Sequence, residues 1–384
     1  VKPLHLCMLA LTAYPVLANR RDSRELGGAQ VQQVMIARAL VRAGIRVTFI
    51  CMDYGQPEEE EIDGIRVIRT FGQDDGVRGL RFFHPRMSGL AAAMARADAD
   101  VYYQRCSGMT TGLMTAWCDW HGKPSIYAGA SDLDFQPGPP NVHNRRDRWL
   151  FRRGLRQASA VVVQNPRQRE LLLNNHGRRG ELIPSCYATP AAPAAAADTA
   201  APREVLWIGM IRPVKRPDRF LALAKAWPDI RFRMIGGAMG DSPEILAYYA
   251  QIEREAAALP NLEFMGFVPF AEADQYFDRA ALLVNTSDHE GFPNTFLQAW
   301  SRRVPSVALF DTGSRVDGAA PYALVDSDAA LAQCVRRLMD DAPAHRALAE
   351  LGHSYFQREH SPETTAQRYL ALLTDLVARQ GGRR

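Results

Sequence analysis

The sequence predicts an α/β protein built as two successive units, each a parallel sheet with helices on both faces. Three observations carry that expectation. Short apolar runs alternate with helix-length segments, the rhythm of strands joined by helical crossovers. The rhythm stops at "IPSCYATPAAPAAAADTAAPR" (183–203), a Pro/Ala-rich stretch without a strand period, and then restarts. The chain of 384 residues also exceeds one ordinary core, so two domains of similar size are expected.

In the first half, "LHLCMLAL" (4–11) is apolar, too short for a helix, and reads as a buried strand. "AQVQQVMIARALVRAG" (29–44) repeats apolar residues at helical spacing, and "RVTFICM" (46–52) is the next strand. "IRVIRTF" (65–71), "DVYYQ" (100–104), "PSIYAG" (124–129) and "AVVVQN" (160–165) continue the series, with "RMSGLAAAMARAD" and "MTTGLMTAWCDWHG" as helices between them. After residue 203 the strand runs are "EVLWIGM" (204–210), "RFRMIGG" (231–237), "LEFMGFV" (262–268), "ALLVNTS" (281–287) and "PSVALFD" (305–311). Helices fill the chain from about residue 327. The last, "PETTAQRYLALLTDLVARQ" (362–380), opens on Pro362 and Glu363 after Ser361, a start signature. The expected domains are 1–188, a linker at 189–203, a second domain at 204–358, and a final helical segment at 359–384.

The composition, 47% hydrophobic and 23% charged, is that of a folded globular chain. No window offers the roughly 18 uninterrupted apolar residues of a membrane span. The opening run lacks a convincing small-residue cleavage site and reads as a strand rather than a signal peptide. The six cysteines form no CxxC pair and no His/Cys cluster, so reduced thiols, a cytoplasmic setting and no zinc are expected. Charge is uneven: residues 1–190 hold 25 Lys/Arg against 18 Asp/Glu, and the remainder 21 against 24. "RRDRWLFRRGLRQ" (145–157) concentrates the excess. It is either a solvated helix face or a surface for an anionic membrane or a phosphate-bearing acceptor. No recognition motif accompanies it, so nucleic acid is not an expected partner.

Four motifs point to chemistry. Gly27 and Gly28 stand between the first strand and its helix, where glycine permits close approach and a helix N-terminus favours an anion; the alternative is a turn that lets the helix pack. In "WIGMIRPVKRPD", Gly209 ends a strand and Arg212 and Lys215 follow, two cations able to neutralise a departing diphosphate. In "MIGG", Gly236 and Gly237 close another strand and permit close ligand approach. In "DHEGFPNTFLQAW", Glu290 enters a turn made with Gly291, Phe292 and Pro293, and Asn294 and Thr295 open a helix carrying Gln298. Amides near 294–296 suit phosphate oxygens, and Glu290 suits sugar hydroxyls. A single cap would not require the glycine turn together with a polar Gln298 among apolar neighbours.

In combination, "GM-IRPVK", "MIGG" and "EGFPNTFLQAW" followed by "PSVAL" resemble the donor half of retaining GT-B glycosyltransferases of family 4, and the likeness spans nearly the whole chain. The resemblance implies two Rossmann-like domains facing across a cleft, with a nucleoside-diphosphate sugar (UDP-, GDP- or another) on the second and an acceptor on the first. It implies a final helix that crosses back to the first domain. Glu290 matches the family's first acidic position, near the transferred sugar. Gln298 falls where a ribose-gripping glutamate is usual, and Lys215 matches the basic residue. Met210 replaces the usual arginine, with Arg212 two residues on. Where the family often has an N-domain histidine, this chain has "GASDLDF", bringing in Ser131, Asp132 and Asp134 on the acceptor side. "DTGSRVDGAAP" keeps only Gly313 before Arg315 from the usual glycine-rich phosphate loop.

Retention would follow from attack on the leaving-group face, with no second carboxylate of the hydrolase kind. "DLD" (132–134) lies in the other domain, so no metal and no separate cofactor are expected. The acceptor is a glycan, a lipid-linked or a small-molecule hydroxyl, and the setting cytoplasmic, with peripheral contact at the inner membrane face as a further expectation. The competing readings are a sugar-nucleotide 2-epimerase or phosphorylase of the same architecture, and a non-catalytic nucleotide-sugar-binding protein. A nicotinamide oxidoreductase would want GxGxxG, and "MIGGAMG" (234–240) is poorly spaced for it.

Overall fold

The computed structural model describes residues 3–20, 27–139, 142–188, 204–238, 240–288, 290 and 292–382. Among these, the chain forms two compact units. The first takes residues up to Arg20, 27–186 and the C-terminal segment from Pro362; the second takes Tyr187–Ser361. The expected linker at 189–203 and Gly291 lie outside the described residues.

The first unit holds an eight-stranded sheet of β1 (His5–Leu9), β2 (Arg46–Cys51), β3 (Glu59–Ile62), β4 (Ile65–Arg69), β5 (Val101–Arg105), β6 (Ser125–Ala128), β7 (Ala160–Val163) and β8 (Glu181–Leu182). Their order is β3-β4-β2-β1-β5-β6-β7-β8, and only β3 runs antiparallel to its neighbour. The sequence reading missed β3, because "EEEI" has no apolar period. A hairpin makes it: Asp63 and Gly64 take φ of 53° and 75°, the paired positive values of a tight two-residue turn. Glutamates then keep this edge strand solvated.

One face of the sheet buries Leu9, Ile50, Ile68, Leu90, Met94 and Tyr102. Helix Gly28–Arg42 packs on the C-terminal helix Pro362–Gly381 within the same unit. Tyr369 of that last helix meets Tyr103 of β5 edge-on, ring centres 6.2 Å apart. The basic stretch is a single amphipathic helix, Arg145–Gln157, burying Leu150, Phe151 and Leu155. It lies against helix Met109–Trp120 at backbone contact. A Cβ on Gly112 would sit 2.4 Å from the Leu150 carbonyl oxygen, and one on Gly154 2.8 Å from the Gly112 nitrogen.

The second unit holds six parallel strands: β9 (Glu204–Ile208), β10 (Arg231–Ile235), β11 (Leu262–Phe264), β12 (Ala280–Asn285), β13 (Ser306–Ala308) and β14 (Ala323–Leu324). They are ordered β11-β10-β9-β12-β13-β14. Trp207, Phe220, Phe232, Met234, Leu282, Val284 and Val335 form its core. β9 to β13 are each shorter than the apolar run that predicts them, and β14 was not expected from sequence. The chain winds from β9 outward through β10 and β11, then returns to β12 on the other side of β9. That reversal opens a crevice at the carboxyl ends of β9 and β12, the place where doubly wound sheets bind ligands.

Candidate functional site at the carboxyl edge of the second sheet

Three loops leave the second sheet at this reversal, and they carry the donor-side residues expected from sequence. After β9, Gly209 donates its N–H to the Ile235 carbonyl at 3.0 Å, and Ile211 donates to Gly237 at 2.9 Å. Arg212, half-buried, then starts a short turn, Pro213–Lys215. The two chain segments approach so closely that a Cβ on Gly236 would stand 1.9 Å from the Gly209 carbonyl oxygen. Gly236 therefore makes room for its own chain, a packing demand that the sequence did not show. Gly237 likewise faces Phe267, 3.1 Å from where its Cβ would lie.

After β12, Thr286 fastens the two loops together. Its buried hydroxyl accepts from the Trp207 indole N–H at 2.8 Å and donates to the Lys215 carbonyl at 2.8 Å. Asp288 adds a backbone bond to the Val214 carbonyl at 3.0 Å, and its carboxylate takes Arg219 at 2.7 Å. The Lys215 turn is thus held from both ends. Its ammonium meets the Glu290 carboxylate directly, and Ser287 donates its hydroxyl to the same Glu290 oxygen at 3.0 Å. Both charged side chains are mostly covered, 17% and 15% exposed. Motifs 75 residues apart in sequence form one charge pair. Thr286 and Ser287, which lock it, were not picked out from sequence; "NTS" at a strand end carries no signal until its partners are known.

Helix Asn294–Ser301 begins beside Glu290 with Pro293 at its N-cap, a residue whose side chain makes no cap. Amides at such a terminus, with the positive end of the helix dipole, favour an anion. Phe292 and Pro293 fix the entry: the Phe292 ring stacks on His360 at 4.7 Å and meets Trp300 edge-on at 6.1 Å.

Gln298, expected at the ribose-gripping position, has partners within its own unit. It is buried, and its amide nitrogen donates to Tyr187 (3.2 Å) and to Asp274 (3.1 Å), while the Tyr187 hydroxyl donates to Asp274 at 2.8 Å. Arg302 adds an ion pair to Asp274 at 3.0 Å. Gln298 anchors the helix. The loop after β13 is also self-satisfied: Gly313 takes φ +75°, its N–H bonds Asp311 at 2.8 Å, and Arg315 pairs with that aspartate. The Arg315 guanidinium holds the Asp311 carboxyl well below the usual carboxylate range.

In the first unit, Gly27 caps helix Gly28–Arg42 in an extended conformation, and a Cβ there would meet only the end of the Gln30 side chain. Of the acceptor-side candidates, Asp134 is fully engaged. It accepts from the Ala130 and Ser131 amides at 2.6 and 3.0 Å and from the Ser107 hydroxyl at 2.7 Å, closing a capping box with Ser131. Asp132 pairs with Arg167 at 3.2 Å. Ser131 and Asp134 organise the turn after β6, and Asp132 keeps one buried carboxylate oxygen without a hydrogen-bond partner. The six cysteines are free, five of them buried, and no helix among the described residues is long and apolar enough to cross a membrane.

Residues 27–186 match the glycosyl transferase 4-like domain family, and residues 202–341 match the glycosyl transferases group 1 family. No curated protein sequence matches the chain. Among solved structures, sucrose-phosphate synthase from Thermosynechococcus elongatus aligns at TM-score 0.74 and 20% identity, covering 98% of this chain and 100% of that one. Anabaena HepE in complex with UDP and glucose aligns at 0.71 and 15% identity, covering 96% and 99%. A glycosyltransferase from Rickettsia africae aligns at 0.70 and 10% identity, covering 98% and 99%. The two family matches together take in well over half of the chain, and it belongs to the group 1, family-4-type glycosyltransferases, with the GT-B fold.

Proposed function

We propose that the protein transfers a sugar, with retention at the anomeric carbon, from a nucleoside-diphosphate sugar bound to its second unit. One observation carries the reading: an ammonium and a carboxylate meet at the reversal of the second sheet, beside the N-terminus of helix Asn294–Ser301. On donor binding, Lys215 turns from Glu290 to the diphosphate. Arg212 and the first-turn amides of helix Asn294–Ser301 share the growing charge of the leaving group. The Glu290 carboxylate, still held by Ser287, accepts hydrogen bonds from the sugar's hydroxyls and orients the ring. The acceptor hydroxyl attacks from the leaving-group face and passes its proton to a donor phosphate oxygen, so no second carboxylate is required.

The cations that neutralise the diphosphate belong to the chain itself, and a metal-independent reaction follows from that. Gln298 is a positioning residue, and loops after β1 and β6, with Gly27, Gly28 and the Ser131–Asp134 turn, form the acceptor side. UDP-glucose is the first donor to test, since HepE was solved with UDP and glucose; GDP-, ADP- and TDP-sugars complete the panel. With the donor and acceptor found, E290A is expected to lose at least tenfold in transfer. Activity within twofold of the parent protein would remove Glu290 from the mechanism.

A further inference from the structure

The first unit carries an exposed apolar knuckle that its fold does not use. Residues 76–87, "GVRGLRFFHPRM", connect β4 to helix Ser88–Ala97 and end in an irregular turn, Phe82–Met87, broken at His84. Val77 is 70% exposed, Leu80 59% and Phe83 57%, and Met87 is also exposed. Large apolar side chains standing together in water call for a covering partner. Arg78, Arg81 and Arg86 lie among them, and Arg81 pairs with Asp74 just before the stretch at 3.6 Å.

The knuckle is continuous with the basic helix. The Arg146 guanidinium sits over the Phe82 ring, 3.9 Å from its centre. One turn on, Trp149 is 56% exposed with Arg153 over its ring at 5.8 Å. Helix Arg145–Gln157 has six arginines against one acid, Asp147. Protruding Leu, Phe, Met and Trp side chains set among arginines match the boundary between acyl chains and anionic headgroups. A peptide partner would instead need a groove.

The location fits a delivery role. Residues 70–87 leave the carboxyl end of β4, and the helix follows the loop from the carboxyl end of β6, the same edge from which the acceptor-side loops emerge. We propose that residues 77–87 and the Arg145–Trp149 end of the helix dock the protein on an anionic bilayer, and that its acceptor is lipid-linked. Only the second clause rests on the transferase reading.

The test is flotation of the full chain with neutral phosphatidylcholine vesicles and with vesicles containing 30% phosphatidylglycerol. Retention is expected on the anionic vesicles at low salt and lost at high salt. R145Q/R146Q should weaken it about thirtyfold, near fivefold per arginine. L80E/F83E should weaken it at least tenfold even at low salt, with unchanged circular dichroism. Trp149 gives a readout in the unaltered fold: brominated lipid should quench part of the fluorescence, and W149F should remove that part.

No retention on anionic vesicles, or no quenching at Trp149, overturns the proposal. So does salt-sensitive binding that L80E/F83E leaves intact, since that marks a general polyanion surface. The assay contains no donor, so its failure leaves the transfer reaction untouched, and failure of transfer leaves vesicle binding standing.

Discussion

Gly236→Ala separates two explanations of the "MIGG" motif. If the glycine serves a ligand, alanine should spare the empty protein and weaken only donor binding. The structure predicts the reverse order of damage. The added Cβ would stand 1.9 Å from the Gly209 carbonyl oxygen, whereas ordinary contact begins near 3.4 Å. The backbone must therefore move by about 1.5 Å, at a cost of ~3 kcal/mol for overpacking in a buried site. The displaced segment holds the bonds from Gly209 and Ile211 to the β10 end (3.0 and 2.9 Å), directly before Arg212 and Lys215.

A suitable assay is hydrogen exchange of the β9 and β12 amides, which reads the opening of the second unit alone. G236A should accelerate exchange there by about a hundredfold (~3 kcal/mol) with no nucleotide present. Nucleotide affinity should fall as a consequence. Unchanged exchange with weakened nucleotide binding would refute the packing explanation and restore the ligand one.

Two other outcomes follow from the same geometry. In a double-mutant cycle, K215M and E290Q should couple by about 1–3 kcal/mol in the empty protein, between the values for exposed and for buried ion pairs; additivity of the two exchange effects would contradict the pairing. His176 is half-buried at 3.1 Å from the Phe135 carbonyl, and burial lowers its pKa in the folded state. The unfolded chain then takes up the proton first as pH falls below about 6.5. Stability should decline in that range, and H176Q should flatten the slope in thermal melts between pH 5 and 7; an unaltered slope counts against this origin.

The alternation of strands and helices was plain in the sequence because parallel strands buried on both faces are continuous apolar runs. Lys215, Glu290 and the helix after Pro293 stood out because each sits where a strand gives way to a glycine or proline turn. Their mutual pairing was not legible: it depends on β9 and β12 being neighbours, a fact of topology that no local pattern contains. Gln298 shows the converse limit. A polar residue between apolar ones looks ligand-directed, yet its partners, Tyr187 and Asp274, lie 111 and 24 residues away. Asp134, a candidate because the resemblance places a histidine in that region, closes a capping box with Ser131 that the sequence reading did not foresee.

Calorimetric titration of UDP and of UDP-glucose, or of the cognate pair from the screen, into the parent protein, K215A and E290A tests the division of labour at the site. K215A should weaken both ligands by about 10–150-fold, as expected for one charged contact. E290A should weaken the nucleotide sugar and tighten the bare nucleotide, because Lys215 then has no carboxylate to leave. Equal loss of both ligands in E290A, or no loss in K215A, would contradict the assignment of the diphosphate to Lys215 and the sugar to Glu290.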